Sequence, residues 1–312
     1  MSLGGKDLLS LHDLTVAEMQ EIFDLTAKLK QEQKAGIAHP ILKGKTLAMI
    51  FQKSSTRTRV SFEVGMYQLG GSALFLSAKD LQIGRGEPVK DTARVLSRYV
   101  DGIMVRTYSH ERVQELAEYA SVPVINALTD LMHPCQVLAD LFTAIEHKGD
   151  LKGKKLAYIG DGNNMVNSLL HGCAKLGMHI SVASPKGYEA DPVCIEEAKS
   201  DAAISGSQIV FTQSPAEAAK DADVIYTDVW ASMGQEAEQE KRVKDFAGFI
   251  VDEKLLAVAK PDVIVMHCLP AHRGEEISEG VMEGPHSVIF DEAENRLHVQ
   301  KAVMALTMGF VS

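Results

Sequence analysis

The most chemically loaded stretch of the chain is Ser54-Ser55-Thr56-Arg57-Thr58-Arg59, set between the apolar, strand-like run Thr46–Phe51 and a helical pattern. Free N–H groups at a helix start favour negative charge, neighbouring hydroxyls add donors, and a guanidinium grips a phosphate through two parallel bonds. The stretch therefore reads as an anion cradle for a phosphate or phosphoryl compound. Taken alone, the same residues also suit a solvated helix cap. A second helix opening, His133-Pro134-Cys135-Gln136, sets an imidazole and an amide three residues apart, so that both can face one ligand. The imidazole would polarise a carbonyl and the amide would hold an NH2 group; a capping or buried histidine is the plainer alternative. Arg106 ends the apolar run Gly102–Val105, as a ligand at a strand tip or as a structural arginine.

In the second half, Gly160-Asp161-Gly162-Asn163-Asn164 begins like a dinucleotide fingerprint but carries Met165 where the third glycine belongs. The next strand-like run closes on Ser184-Pro185-Lys186 rather than on an acid for a ribose. Two asparagines at a helix start instead suit the carboxylate and amine of an amino acid. Farther on, Asp228-Val229-Trp230-Ala231-Ser232-Met233-Gly234 and the segment from His267-Cys268-Leu269-Pro270 to Glu276 each follow a strand-like run, where open parallel sheets keep their ligands. His267, Cys268 and His272 invite zinc, yet no second Cys/His cluster completes four ligands, so no metal is expected. For Cys268 a buried structural thiol is the competing reading.

The elements that must position these residues alternate regularly. Thr15-Val16-Ala17-Glu18 is a capping box opening a helix to about Lys34, with Val16, Met19, Ile22, Phe23 and Leu29 as its apolar stripe. Behind the hydroxyl and arginine stretch, Val60, Val64 and Tyr67, with Phe62, Met66 and Leu69 beside them, carry helical spacing up to the stop at Gly70-Gly71. A strand at Ala73–Leu76, a mobile polar loop at Ser77–Glu87, a helix at Asp91–Val100 and a strand at Pro123–Asn126 follow. Gly149–Gly153 reads as a hinge. The same rhythm then restarts, and a last helix from Asp291 to about Phe310, apolar at Leu297, Val299, Val303 and Leu306, is expected to pack back on the first domain. The fold class is α/β, with two doubly wound parallel-sheet domains: residues 1–148 with 292–312, and residues 149–291.

At 312 residues with a net charge of −10 and no basic tract, the chain suits a small anionic ligand and not nucleic acid or an acidic membrane. Its four cysteines show no paired spacing and Met1–Asp7 is short and polar, unlike a signal peptide, so a reducing, cytoplasmic setting is expected. No apolar run approaches the roughly 18 to 20 residues of a membrane helix.

Taken together, STRTR, HPCQ, GDGNN, DVWASMG, HCLP and AENR, in this order and spacing, resemble the ornithine branch of the aspartate/ornithine carbamoyltransferase family over nearly the whole chain. The resemblance decides the open alternatives at these motifs. It implies transfer of the carbamoyl group of carbamoyl phosphate to the side-chain amine of L-ornithine, giving citrulline and phosphate without metal or organic cofactor. Carried over by motif position, Ser55, Thr56, Arg57, Thr58 and Arg106 hold the phosphate, while Thr58, Arg106 and His133 donate to the carbamoyl oxygen. Gln136 and the backbone carbonyls of Cys268-Leu269-Pro270 hold the NH2, and Arg296 completes the pocket. Asn164, Asp228, Ser232 and Met233 bind the α-amino and carboxylate ends of ornithine, and Cys268 with Asp228 positions the attacking amine. The family further implies a homotrimer, or an assembly of trimers, in which Gln82 reaches a neighbour's phosphate site, and domain closure with the Ser232-Met233-Gly234 loop folding over substrate. Putrescine, acetylornithine or aspartate as acceptor would share the phosphate half. A dehydrogenase lacks its fingerprint, and a non-catalytic phosphate-binding module leaves Cys268 and the Ser-Met-Gly loop unexplained.

Overall fold

A computed structural model describes residues 3–79, 81, 86–231 and 238–309, and the chain divides into two units, Met1–Ala139 with Asn295–Ser312, and Asp140–Glu294. The first unit begins with α1 (Val16–Lys34), whose capping box forms as read: Thr15 Oγ1 accepts from the Glu18 N–H at 3.2 Å and Glu18 Oε2 accepts from the Thr15 N–H at 2.8 Å. Such a cap is worth about 1 kcal/mol. There follow β1 (Thr46–Phe51), α2 (Thr56–Gln68), β2 (Ser72–Ser77), α3 (Val89–Leu96), β3 (Gly102–Arg106), α4 (His110–Tyr119), β4 (Val124–Leu128) and α5 (Pro134–Lys148), within which the unit boundary falls. The strands form one parallel sheet in the order β2-β1-β3-β4. The chain runs outward from β1 to β2 and returns on the other side at β3, so the winding reverses between β1 and β3, with Phe51 opposite Arg106. That reversal is where open α/β sheets leave a crevice at the strand tips.

Two expectations change here. The apolar spacings on α2 separate into two faces: Phe62, Met66 and Leu69 are fully buried, whereas Val60 and Tyr67 are 52% and 80% exposed. Residues two apart on a helix point to nearly opposite sides, so both sets cannot face one core. The helix expected over Asp91–Val100 is Val89–Leu96; beyond it the chain continues in three-residue turns, Arg98 N–H to Val95 O and Tyr99 N–H to Leu96 O.

The second unit contains β5 (Lys155–Ile159), α6 (Asn164–Leu176), β6 (His179–Ala183), α7 (Pro192–Ser205), β7 (Ile209–Thr212), α8 (Pro215–Ala219), β8 (Val224–Thr227), α9 (Gln239–Asp245), α10 (Glu253–Leu256), β9 (Ile264–His267) and α11 (Glu279–Met282). Its sheet is parallel throughout, in the order β7-β6-β5-β8-β9, and reverses between β5 and β8. Ile159, Thr227 and His267 pair across three adjacent strands, so the residues after them leave the sheet side by side. Trp230 stacks on Phe246 at 5.5 Å in the core that backs this edge. No described helix is long and apolar enough to cross a membrane.

The last helix, α12 (Ile289–Met308), contributes its Asn295–Met308 portion to the first unit, as expected for a helix packing back on the first domain. Val299, Val303 and Leu306 are buried, and the Lys30 ammonium donates to Asn295 Oδ1 at 2.7 Å. Gly65 on α2 and Gly102 on β3 let α12 approach closely. A Cβ at either would stand 2.9 Å from Met304 Cε or Met308 Sδ.

Lys301 on this helix is fully buried, donating to Gln33 Oε1 at 2.6 Å beside His39 Nε2 at 3.2 Å. Burial holds its pKa down to about 8, from 10.5. A lysine with a depressed folded pKa binds fewer protons folded than unfolded between the two values, so stability rises with pH in that window. Denaturant unfolding should therefore show this contribution increasing from about pH 8 towards 10.5, and Lys301→Met should remove that part of the rise.

Candidate active site

In the first unit the cradle forms around one hydroxyl. Ser55 caps α2, its Oγ accepting from the Thr58 N–H at 3.2 Å and lying 3.1 Å from Thr58 Oγ1. Arg106, from the tip of β3, points Nη1 at Thr58 Oγ1 at 3.5 Å. Arg296, from α12, donates through Nη2 to the same oxygen at 3.1 Å and through Nη1 to Gln136 Oε1 at 2.6 Å. A hydroxyl has two lone pairs and one proton. The Ser55 hydroxyl also donates to this oxygen, so its lone pairs are taken chiefly by Ser55 and Arg296, with Arg106 the longest contact, and Thr58 keeps its proton to donate. Thr58, Arg106, His133, Gln136 and Arg296 are all buried, whereas Thr56 and Arg57 sit exposed in the open first turn of α2.

Burial and this concentration of positive charge together set the state of His133. Burial first, then the charges of Arg296, Arg106, Arg57 and Lys53, hold its pKa well below the usual imidazole range. At neutral pH the ring is uncharged, able to donate one N–H bond, while the guanidiniums carry the charge. Arg59 is turned elsewhere, its guanidinium carbon 3.9 Å from the Phe75 ring centroid and its Nε 3.4 Å from Glu63 Oε2. Lys53 was not singled out from sequence. Its ammonium is buried, bonds Asp130 at 2.8 Å and lies over the Tyr108 ring; its place directly before the hydroxyl run was the available signal.

In the second unit Asp228 and Cys268 leave β8 and β9 side by side, and the Cys268 thiol donates to Asp228 Oδ1 at 3.0 Å. Burial, then the Asp228 charge and this bond, push the thiol well above its usual pKa. It is a neutral donor, not a thiolate nucleophile. Asp228 also accepts from the Val229 N–H at 2.8 Å and from Asn163 Nδ2 at 2.8 Å. The two asparagines thus divide: Asn163 caps α6 and braces Asp228, and Asn164, half-buried, occupies the first helical position. An asparagine directly before a helix is a standard cap, which was the signal for Asn163. Gln82, Ser232 and Met233 lie outside the described residues.

His267 is the other residue with more to do than the sequence indicated. Its Nδ1 accepts from the Leu269 N–H at 2.8 Å, which places the ring proton on Nε2, donated to Glu276 Oε1 at 3.0 Å. Its own N–H donates to Glu292 Oε2 at 2.9 Å, a carboxyl that burial and Asp140 push well above the usual carboxylate range. This frame holds Leu269 at φ 59°, a left-handed conformation uncommon outside glycine. Asp228, His267 and Cys268 bring ligand-type atoms within 4.8 Å of one another, but all three are engaged in the protein hydrogen bonds just described.

Residues 6–146 match the family description "Aspartate/ornithine carbamoyltransferase, carbamoyl-P binding domain", and residues 152–307 match "Aspartate/ornithine carbamoyltransferase, Asp/Orn binding domain". The chain belongs to the aspartate/ornithine carbamoyltransferase family. It is 59% identical over 308 residues to an ornithine carbamoyltransferase of Carboxydothermus hydrogenoformans, covering 99% of each chain. It is 61% identical over 310 residues to one of Halalkalibacterium halodurans, covering 99% of this chain and 97% of the other. The solved ornithine carbamoyltransferase from Pyrococcus furiosus superposes with a TM-score of 0.97 at 57% identity, covering 100% of both chains.

Within this carbamoyltransferase fold the second glycine of Gly160-Asp161-Gly162 has a local cause. Its N–H donates to Tyr188 O at 2.9 Å, and a Cβ at Gly162 would overlap the Glu189 carbonyl. The close approach is chain to chain, with no pyrophosphate needed to explain it. Gly162→Ala should therefore cost about 1–3 kcal/mol of stability, as overpacking does, read as a lower denaturation midpoint with little change in slope.

Proposed function

We propose that this chain transfers the carbamoyl group of carbamoyl phosphate to the side-chain amine of L-ornithine, giving L-citrulline and phosphate. The observation that carries the reading is the convergence of Arg106 and Arg296 on Thr58 at the start of α2, beside a neutral His133 and Gln136. In this reading Ser55, Thr56, Arg57, Thr58, Arg106 and Arg296 bind carbamoyl phosphate, and Gln82 completes the phosphate site of a neighbouring subunit. As the neutral amine adds to the carbamoyl carbon, negative charge grows on the carbamoyl oxygen, where Thr58, Arg106 and His133 donate; the C–N bond forms, the C–O bond to phosphate breaks, and the proton shed by the amine leaves on the phosphate. Gln136 Oε1 already accepts from Arg296, but its second lone pair can take the carbamoyl NH2, as can backbone carbonyls of Cys268 and Leu269. Asn164, Asp228, Ser232 and Met233 bind the amino-acid end of ornithine, and the neutral thiol of Cys268 with Asp228 orients the amine. Residues 1–148 with 292–312 form the carbamoyl phosphate domain and residues 149–291 the ornithine domain.

The working form is a homotrimer. Strand β2 is a sheet edge that leaves Leu74 and Phe75 exposed, and α2, packed beside it, exposes Val60 and Tyr67. An exposed apolar edge is an invitation to pairing that a native assembly covers. The four cysteines are all free, which suits a reducing cytoplasm.

Phosphate release from carbamoyl phosphate should be fast with ornithine, where citrulline forms alongside it, and slow with lysine, putrescine, N-acetylornithine and aspartate. Arg57→Ala should lower turnover at least about 100-fold at saturating substrate, the scale for losing one transition-state donor, with an unchanged circular dichroism spectrum. Cys268→Ala should lower turnover and raise the KM for ornithine while leaving carbamoyl phosphate affinity intact, because the backbone carbonyl remains. Near wild-type kinetics in Arg57→Ala would overturn the assignment. Unaltered ornithine kinetics in Cys268→Ala would remove that residue's role. Light scattering should give three times the 33.9 kDa chain mass or a whole multiple of that; a monomer at working concentration would refute the trimer.

A further inference from the structure

Away from the strand tips, His171, Cys194 and Glu197 bring an imidazole nitrogen, a thiol sulfur and a carboxylate oxygen within 4.8 Å of one another. We propose that these three side chains form a site for a divalent transition metal of the zinc type, with water in the fourth position. The site is separate from carbamoyl transfer and clips α7 to α6.

The donor set selects the ion. A thiolate and an imidazole with one carboxylate suit zinc or cobalt(II), not calcium or magnesium, which take oxygen ligands. Donor atoms bound tetrahedrally to one zinc lie roughly 3.3–3.6 Å apart. His171 Nε2 and Glu197 Oε2 are already 3.1 Å apart, and the 4.8 Å limit leaves about an ångström of adjustment for the sulfur. Cys194 and Glu197, three residues apart on α7, face the same way.

The helices that carry the ligands are fixed against each other. Asp191 caps α7, its Oδ1 accepting from the Val193 and Cys194 N–H groups at 2.8 and 3.3 Å. The Asp191 N–H in turn donates to Asn167 Oδ1 at 3.0 Å. Asn167 is one helical turn before His171, so the α6 face that holds the start of α7 is the face that presents the imidazole. His171 and Cys194 are buried, and the Glu197 side chain is 36% exposed, giving an ion its entry from solvent. Binding breaks the S–H bond as the metal–sulfur bond forms; the proton leaves to water and no electrons are transferred.

The test titrates Co2+ under anaerobic conditions into the full chain carrying Cys268→Ser, which removes the thiol of the Asp228, His267 and Cys268 group. A thiolate-to-cobalt charge-transfer band should grow to one equivalent per chain, bleach when Zn2+ displaces the cobalt, and be absent when Cys194→Ser is added. Zn2+ should raise the thermal unfolding midpoint of the Cys268→Ser chain but not of the double variant. Glu197→Gln, at the half-exposed position where folding is least at risk, should weaken Co2+ binding at least about 10–100-fold, the scale reached by perturbing even outer-shell partners. No charge-transfer band in the Cys268→Ser chain, a band that survives Cys194→Ser, or unchanged affinity in Glu197→Gln would overturn the site.

Discussion

A parallel sheet delivers the C-terminus of every strand to the same edge, and both sheets of this chain are parallel in every pairing. Each must therefore cross back over its own face, and each reverses winding once, between β1 and β3 and between β5 and β8. At the reversal neighbouring helices diverge and strand tips stay open. Arg106 and the start of α2 occupy one such opening; Asp228 and the start of α6 occupy the other. The chemistry is placed by topology before any side chain acts.

The two edges treat charge in opposite ways. At the first, buried guanidiniums crowd one hydroxyl, and burial together with their charge keeps His133 neutral in a positive pocket. At the second, a carboxylate collects a thiol, an asparagine amide and a backbone N–H, which keeps Cys268 protonated. On the function proposed above, the first edge takes the anion and the second the ammonium-bearing amino acid. In both cases desolvation is the largest cause of the pKa displacement, so water exclusion does more than any single neighbour.

The four strands of the first unit were legible from sequence to within two residues, because each reads as a short apolar run between turn residues. The start of α2 was legible for the same reason that it can bind an anion: its cap and hydroxyls are contiguous in sequence. What joins Thr58 to Arg106 and Arg296 is not contiguous, spanning 48 and 238 residues, and local pattern carries no trace of it. The buried face of α2 was ambiguous because two apolar sets share that helix, and neighbours elsewhere choose between them. Asn163 and His267 were visible as residue types but not as braces, since a bracing role depends on the partner that tertiary structure supplies.

The aligned ends of β5, β8 and β9 bear on how such a protein diversifies. Asp228 and Cys268 each stand one step past residues that pair across the sheet, so changing them leaves the ladder hydrogen bonds of Thr227 and His267 in place, whereas the φ of 151° at Gly160 holds that position to glycine. On the function proposed above, new acceptors could be explored at that rim with the sheet ladder kept, independently of the arginine-rich edge. A duplicated gene could then acquire another amine or amino acid as partner through few substitutions, each lineage keeping the same donor. The family description, which joins aspartate and ornithine in one binding domain, is what such a history would leave behind.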